Sequence, residues 1–163
     1  MLWAVIPLLR VAPVVTSTSL LIANLDQVFT FQAWLQPSLP SPANGKVLPY
    51  WYDPWYNRSV PMLGVLVLLS IGGGVGNLTV GASGLDNTTW RLYSASLACT
   101  LAHGLFSTLA LEQIRNISKK ENAGEGNLTG LRKWLVVNRY RFIVSEIPAF
   151  IAAVLAVIRV IKD

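Results

Sequence analysis

Cysteine is almost absent from this chain of 163 residues: Cys99 stands alone, so no intramolecular disulfide forms and no cysteine-rich zinc site assembles. Histidine is as scarce. A lone His103 excludes histidine-rich two-metal, copper and bis-histidine haem sites. Charge is thin as well, with Asp, Glu, Lys and Arg making up 13% of the residues. Set beside 53% apolar residues and a mean hydropathy of +0.49, that scarcity excludes an ordinary soluble domain and leaves an integral membrane protein. No nucleophile elbow, phosphate-binding lysine loop or redox-cofactor fingerprint is present, so neither a metal nor a cofactor is expected. The net charge of +5 comes from basic residues spread along the chain rather than gathered into a patch. Membrane lipid explains that distribution, and nucleic acid is not an expected partner.

What is present is enough apolar sequence for four membrane spans of roughly 20 residues each. The segments about 11–34, 59–80, 90–114 and 135–161 predict one transmembrane domain, an all-α antiparallel four-helix bundle. Met1 to Arg10 lacks a basic leader region and reads as mature sequence running into the first helix. Residues 36–58 read as a connecting segment that ends in an interfacial run of Trp and Tyr, and residues 116–133 as a solvated loop. Gly72, Gly73, Gly74 and Gly76 have neither the strand nor the lysine of a phosphate loop, and predict close helix packing. More basic residues flank the two longer connections than the opposite ends, which puts those connections in the cytoplasm and both termini in the lumen, with the endoplasmic reticulum as the expected membrane. Of the glycosylation sequons at Asn57, Asn77, Asn87, Asn116 and Asn127, only Asn87 is lumenal in that orientation.

Polar residues inside the spans carry the functional signal, because a charge in hydrocarbon is expensive. On the first helix Ser19, Ala23, Asp26, Thr30 and Ala33 form one small, polar stripe predicted to face the bundle interior. On the third, Ser96, Cys99, Thr100, His103, Ser107 and Ala110 share a face. On the fourth, Asn138, Arg141 and Ser145 lie beside a face holding Arg139 and Glu146. One reading makes Asp26 interhelical glue, paired with Arg139 or Arg141. The other makes Asp26 and Glu146 an acid and a base in one water-poor pocket, one held neutral by burial and the other ionised by a neighbouring cation.

The run Asp26, Gln27, Val28, Phe29, then Trp55, Tyr56, Asn57, Arg58, then Trp134, Leu135, Asn138, Arg141, and finally Ser145, Glu146, Ile147, Pro148, Ala149, resembles small four-span membrane enzymes of fungal secondary metabolism. These are the ascofuranone-type membrane-bound terpene cyclase family, with its epoxide hydrolases of the aurovertin, citreoviridin and asteltoxin pathways, and the related anthrone-oxygenase-like family. The resemblance implies an enzyme that opens an epoxide of a lipophilic polyketide or meroterpenoid. One of Asp26 and Glu146 would protonate the epoxide oxygen while the other deprotonates water or a substrate hydroxyl. Asn138, Arg141 and His103 would orient these groups, and Tyr56, Asn57 and Arg58 would close the mouth. Two alternatives stand beside it: a cofactor-free oxygenase of anthrone type with His103 or Asp26 as base, and a structural membrane protein without a cavity. The expected partners are a lipophilic small molecule and lipid, with a homodimer left open.

Overall fold

The computed structural model describes residues 2–36, 41–121 and 123–162. Residues 37–40 and 122, inside the two expected connections, lie outside the described residues. Helix α1 covers Leu2–Gln32 and ends in a short 3₁₀ turn, Ala33–Leu35; α2 covers Ser41–Leu78 and α3 Asn87–Ser118. Helix α4, Glu125–Arg141, passes through a π-helical turn, Phe142–Glu146, into α5, Ile147–Lys162, so the two form one continuous rod. The four rods are each apolar and long enough to cross a membrane. They alternate in direction, and the antiparallel four-helix bundle expected from the sequence is present.

The helices overrun their expected limits, most of all at α2, which begins at Ser41 rather than near residue 59. The aromatic run is therefore helix, not connection, even though Pro49, Pro54 and Pro61 lie within it. Each proline removes one backbone hydrogen bond, a loss tolerated where neighbouring helices pack around the break. Here the packing is aromatic. Phe31 of α1 is fully buried and meets Trp51, Tyr52, Trp55 and Trp134 edge to face, with ring centroids 4.7–5.6 Å apart. Helix α4 likewise starts at Glu125, inside the expected loop, because Asn127 secures the preceding turn. Its side chain donates to the carbonyls of Asn116, Ile117 and Lys119 and accepts from the Gly124 N–H.

Large apolar residues point outward, among them Leu8, Ile22, Phe29, Leu68, Leu105 and Leu109, while small and polar ones point inward. That inversion is expected where lipid is the solvent and helices associate through close packing. Three of the four clustered glycines serve it directly, while Gly72 is exposed and a Cβ there would meet nothing within 4 Å. A Cβ on Gly73, Gly74 or Gly76 would stand 3.1 Å from Ala12, 3.1 Å from Leu97 or 2.7 Å from Leu9. At the same end, the buried Arg10 guanidinium donates to Asn77 Oδ1 (3.2 Å) and to the Gly81 carbonyl (2.6 Å). Asn77 and Asn127 are consumed by such contacts, so neither sequon is open to a glycan.

The polar stripe predicted for α1 is displaced by one residue. Thr16, Ser17, Leu20, Asn24, Gln27 and Phe31 are the buried positions, and Asp26 is exposed. Both series have helical spacing; docking of Phe31 among the aromatic rings selects the second one.

Asp86 caps α3 by accepting from the Thr89 N–H and pairs with Arg159 at the end of α5. The Thr89 hydroxyl and amide, then Arg159, hold its carboxyl at about 2, below its ordinary 3.8. A lowered carboxylate value means stability that is complete above the ordinary value and lost as pH falls toward the folded one. The thermal midpoint in detergent is expected to drop between about pH 4 and pH 2. Asp86→Asn should remove that part of the pH dependence, which calorimetry across the range would detect.

Candidate functional site

Pro148 shapes the site from within its own helix. Proline has no N–H and its ring presses on the carbonyl four residues back, and one extra residue in the turn relieves both. The backbone accordingly widens at Phe142–Glu146, where the Ile147 N–H bonds to the Phe142 carbonyl five residues earlier. In a regular α-helix, positions five apart diverge. Across the π turn Arg141 and Glu146 converge, with Arg141 Nε 2.9 Å from Glu146 Oε1. Of the cations the sequence offers as partners of a buried carboxylate, Arg141 and His103 meet Glu146, whereas Arg139 is exposed.

His103 of α3 completes the cluster, its Nδ1 3.3 Å from the same Glu146 oxygen. Glu146 and His103 are both buried, at 3% and 7% exposure. Gln27 ties α1 to the group, its Oε1 accepting from Asn138 Nδ2 (3.0 Å) and Arg141 Nη2 (3.4 Å). Ser145 and Ser96 donate to the Cys99 and Ala149 carbonyls and lock the α3–α5 packing on either side.

Beside the cluster lies a cavity of about 380 Å3. His103, Arg141 and Gln27 form its polar end; Tyr52, Trp55, Tyr56 and Trp134 form an aromatic wall; apolar residues of α2 and α3 supply the rest. Glu146 does not line this cavity. It stands behind His103, bordering a much smaller void with Ser17, Thr100 and Ser145. The arrangement presents an imidazole and a guanidinium to whatever occupies the cavity, with the carboxylate holding both from the rear. Imidazole moves protons near neutral pH, and guanidinium stabilises an oxyanion.

Of the residues singled out from the sequence, Glu146, His103, Arg141 and Asn138 come together, and Tyr56 lines the cavity. Asp26 does not meet Glu146. It opens instead onto a neighbouring groove of about 460 Å3 between α1 and α2, as the one-residue shift of the buried stripe requires. Asn57 and Arg58 are exposed and contribute nothing to the cavity wall. Gln27, Trp55 and Trp134 stand in the motifs that carry the family resemblance and Tyr52 in the aromatic run expected at the interface or over the bundle mouth, and all four line the cavity. Their common signal was helical spacing: Gln27 lies four residues before Phe31, and Tyr52 and Trp55 are three apart. Among the described residues no group of three or more His, Cys, Asp or Glu side chains converges, and a guanidinium occupies the cationic position beside Glu146.

Curated proteins similar to this chain share that fungal setting. Epoxidase pydX of an Acremonium species is 36% identical over 156 residues, covering 93% of each chain. The chain belongs to the family of these fungal epoxidases. Probable epoxidase scpX of Mollisia scopiformis is 30% identical over 94% of this chain and 96% of its own, and an oxaleimides biosynthesis cluster protein of Penicillium oxalicum is 28% identical. The resemblance to small membrane enzymes of fungal secondary metabolism is borne out. No family model matches the chain, and no solved structure does.

The cluster and the displaced acid differ measurably. Glu146→Ala leaves Arg141 buried without its counter-charge and should cost about 3–5 kcal/mol of stability. Asp26→Ala is expected to stay within about 0.5 kcal/mol of the parent. Denaturant unfolding in mixed micelles would read both, and equal losses would contradict the assignment.

Proposed function

We propose that this chain is a membrane-embedded epoxidase that adds one oxygen atom of O2 to a lipophilic, polyketide-like substrate carrying a hydroquinone or enediol at or near the reacting double bond. The single observation carrying this reading is the buried Glu146–His103–Arg141 cluster with His103 and Arg141 turned to an apolar cavity. The names of the relatives support the epoxide chemistry.

His103 faces Glu146 through Nδ1, which leaves Nε2 for the cavity. Nε2 takes the hydroxyl proton of the substrate, Glu146 holds the imidazolium that forms, and Arg141 and Gln27 hold the oxyanion. The electron-rich anion is the partner on which O2 reacts. In the balanced reaction the substrate loses two hydrogens and gains one oxygen as the epoxide, while the second oxygen leaves as water. The two electrons for that water come from oxidation of the hydroquinone or enediol to its dicarbonyl form, and the departing oxygen takes one proton back from His103 and the other from the second hydroxyl.

A second reading, epoxide opening, is favoured by the same imidazolium. Beside Glu146 it is placed to donate to an epoxide oxygen, with Arg141 holding the alkoxide. It uses one carboxylate, Glu146, rather than the Asp26–Glu146 pair. The endoplasmic reticulum remains the membrane we propose for either reaction.

Isotope labelling separates the two. Under 18O2 in unlabelled water, epoxidation yields an epoxide carrying the heavy isotope and stops without oxygen. Turnover that continues anaerobically, with the isotope entering from labelled water, overturns epoxidation in favour of opening. His103→Ala and Glu146→Gln should each slow the reaction by about 10²–10⁴; unchanged rates in both would remove the proton-transfer role.

A further inference from the structure

Among the described residues, none closes one side of the cavity. Val60, Gly64 and Leu68 of α2 line it and are exposed on the outer surface, and so are Gly104, Ser107 and Leu111 of α3. The two rows face each other across a slot between neighbouring helices. At one end the helices touch through Ser70 and Thr100, whose hydroxyls are 3.4 Å apart, and through Gly74 against Leu97. At the other end Asp53 of α2 pairs with Lys120, just beyond α3, at 2.7 Å. Between these closures they part.

The glycines of α2 differ in what surrounds them. Gly73, Gly74 and Gly76 are packed against neighbours, but a Cβ on Gly64 would meet nothing within 4 Å, and the same holds for Gly104 of α3. Glycine weakens a helix interior, and at these two positions no contact requires it. What the missing side chains leave open is the slot. The surface around it is apolar, with Val65, Leu69, Leu101, Leu105 and Leu109 exposed, so the opening faces hydrocarbon rather than water. Three of the rings interlocked around Phe31, those of Tyr52, Trp55 and Trp134, form the cavity wall itself.

We propose that the slot between α2 and α3 is the doorway through which substrate moves sideways from the bilayer core into the cavity, with Gly64 and Gly104 setting its width. This rests on the cavity being the substrate site. The fitting ligand is an extended, unsaturated apolar molecule already dissolved in lipid, whose one polar function passes between the glycines and reaches Gln27, His103 and Arg141.

The test is photocrosslinking in phosphatidylcholine nanodiscs, using a fatty acid methyl ester with a mid-chain diazirine as probe and mass spectrometry to map adducts. In the parent protein, adducts are expected on Tyr52 and Trp134, which line this cavity and not the α1–α2 groove, and on Leu105 and Leu109 outside. In the Gly64→Leu, Gly104→Leu double variant the inside-to-outside ratio should fall about tenfold, the size of an overpacking penalty. Gly64→Ala with Gly104→Ala should give a smaller fall, and carries the comparison if the leucine pair does not fold by circular dichroism. An unchanged ratio, no interior adducts in the parent, or interior labelling by a water-soluble diazirine that ignores the substitutions would overturn the doorway. Crosslinking needs no turnover, so His103→Ala should keep the parent ratio. Failure of the epoxidation reading would appear only in the isotope experiment.

Discussion

The ion cluster of Arg141, Glu146 and His103 is the constraint around which the bundle is arranged. None of these groups is stable alone in an apolar interior, since an unpaired buried charge costs several kcal/mol. The Arg141–Glu146 pair, with His103 against the same carboxylate oxygen, draws α3 to the α4–α5 rod, and Gln27 brings α1 into the same contact through Arg141 and Asn138. Helix α2 supplies none of these partners. It is held at its two ends, by Asn77 and the packing glycines at one and by the aromatic rings and Asp53 at the other. That difference accounts for the cavity and its lateral opening: three rods meet at the cluster, and α2, packed along α1 and against α3 at its ends, contributes no polar partner there.

The π turn makes the clamp possible. It spends one residue of regular helix to turn Ser145 and Glu146 inward together, which a continuous α-helix does not do for Arg141 and Glu146. Pro148 supplies the local cause and the ion cluster supplies the reason it persists. The same departure separates the two roles at the site, with Glu146 behind and His103 in front. A carboxylate held out of the cavity can support an imidazole without itself meeting the substrate.

Membrane physics explains why so much polar chemistry sits in a small bundle. Lipid offers no hydrophobic drive between helices, so the rods are joined by small-residue packing, aromatic interlock and hydroxyl-to-carbonyl bonds. Each leaves the outer face apolar and places the polar groups inside, where they are available to a guest that arrives through lipid.

The sequence by itself determined the solvent, the number of spans and their antiparallel order, and it put His103, Asn138, Arg141 and Glu146 among the candidates, because length, hydropathy and the cost of intramembrane charge are local properties. It did not determine where the helices start, since the prolines and aromatics of residues 41–58 fit a connection as well as a helix until Phe31 is seen packed among them. Nor did it separate Asp26 from Gln27: both lie on stripes of helical period, and in lipid an inward face is not marked by hydrophobicity. Only the tertiary structure decided that Gln27 turns in and Asp26 out, that a π turn selects Arg141 rather than Arg139 from the cations open to Glu146, and that two glycines far apart in sequence border one opening. Each of these depends on the relative rotation and separation of whole helices, which contacts between distant residues set and local sequence does not.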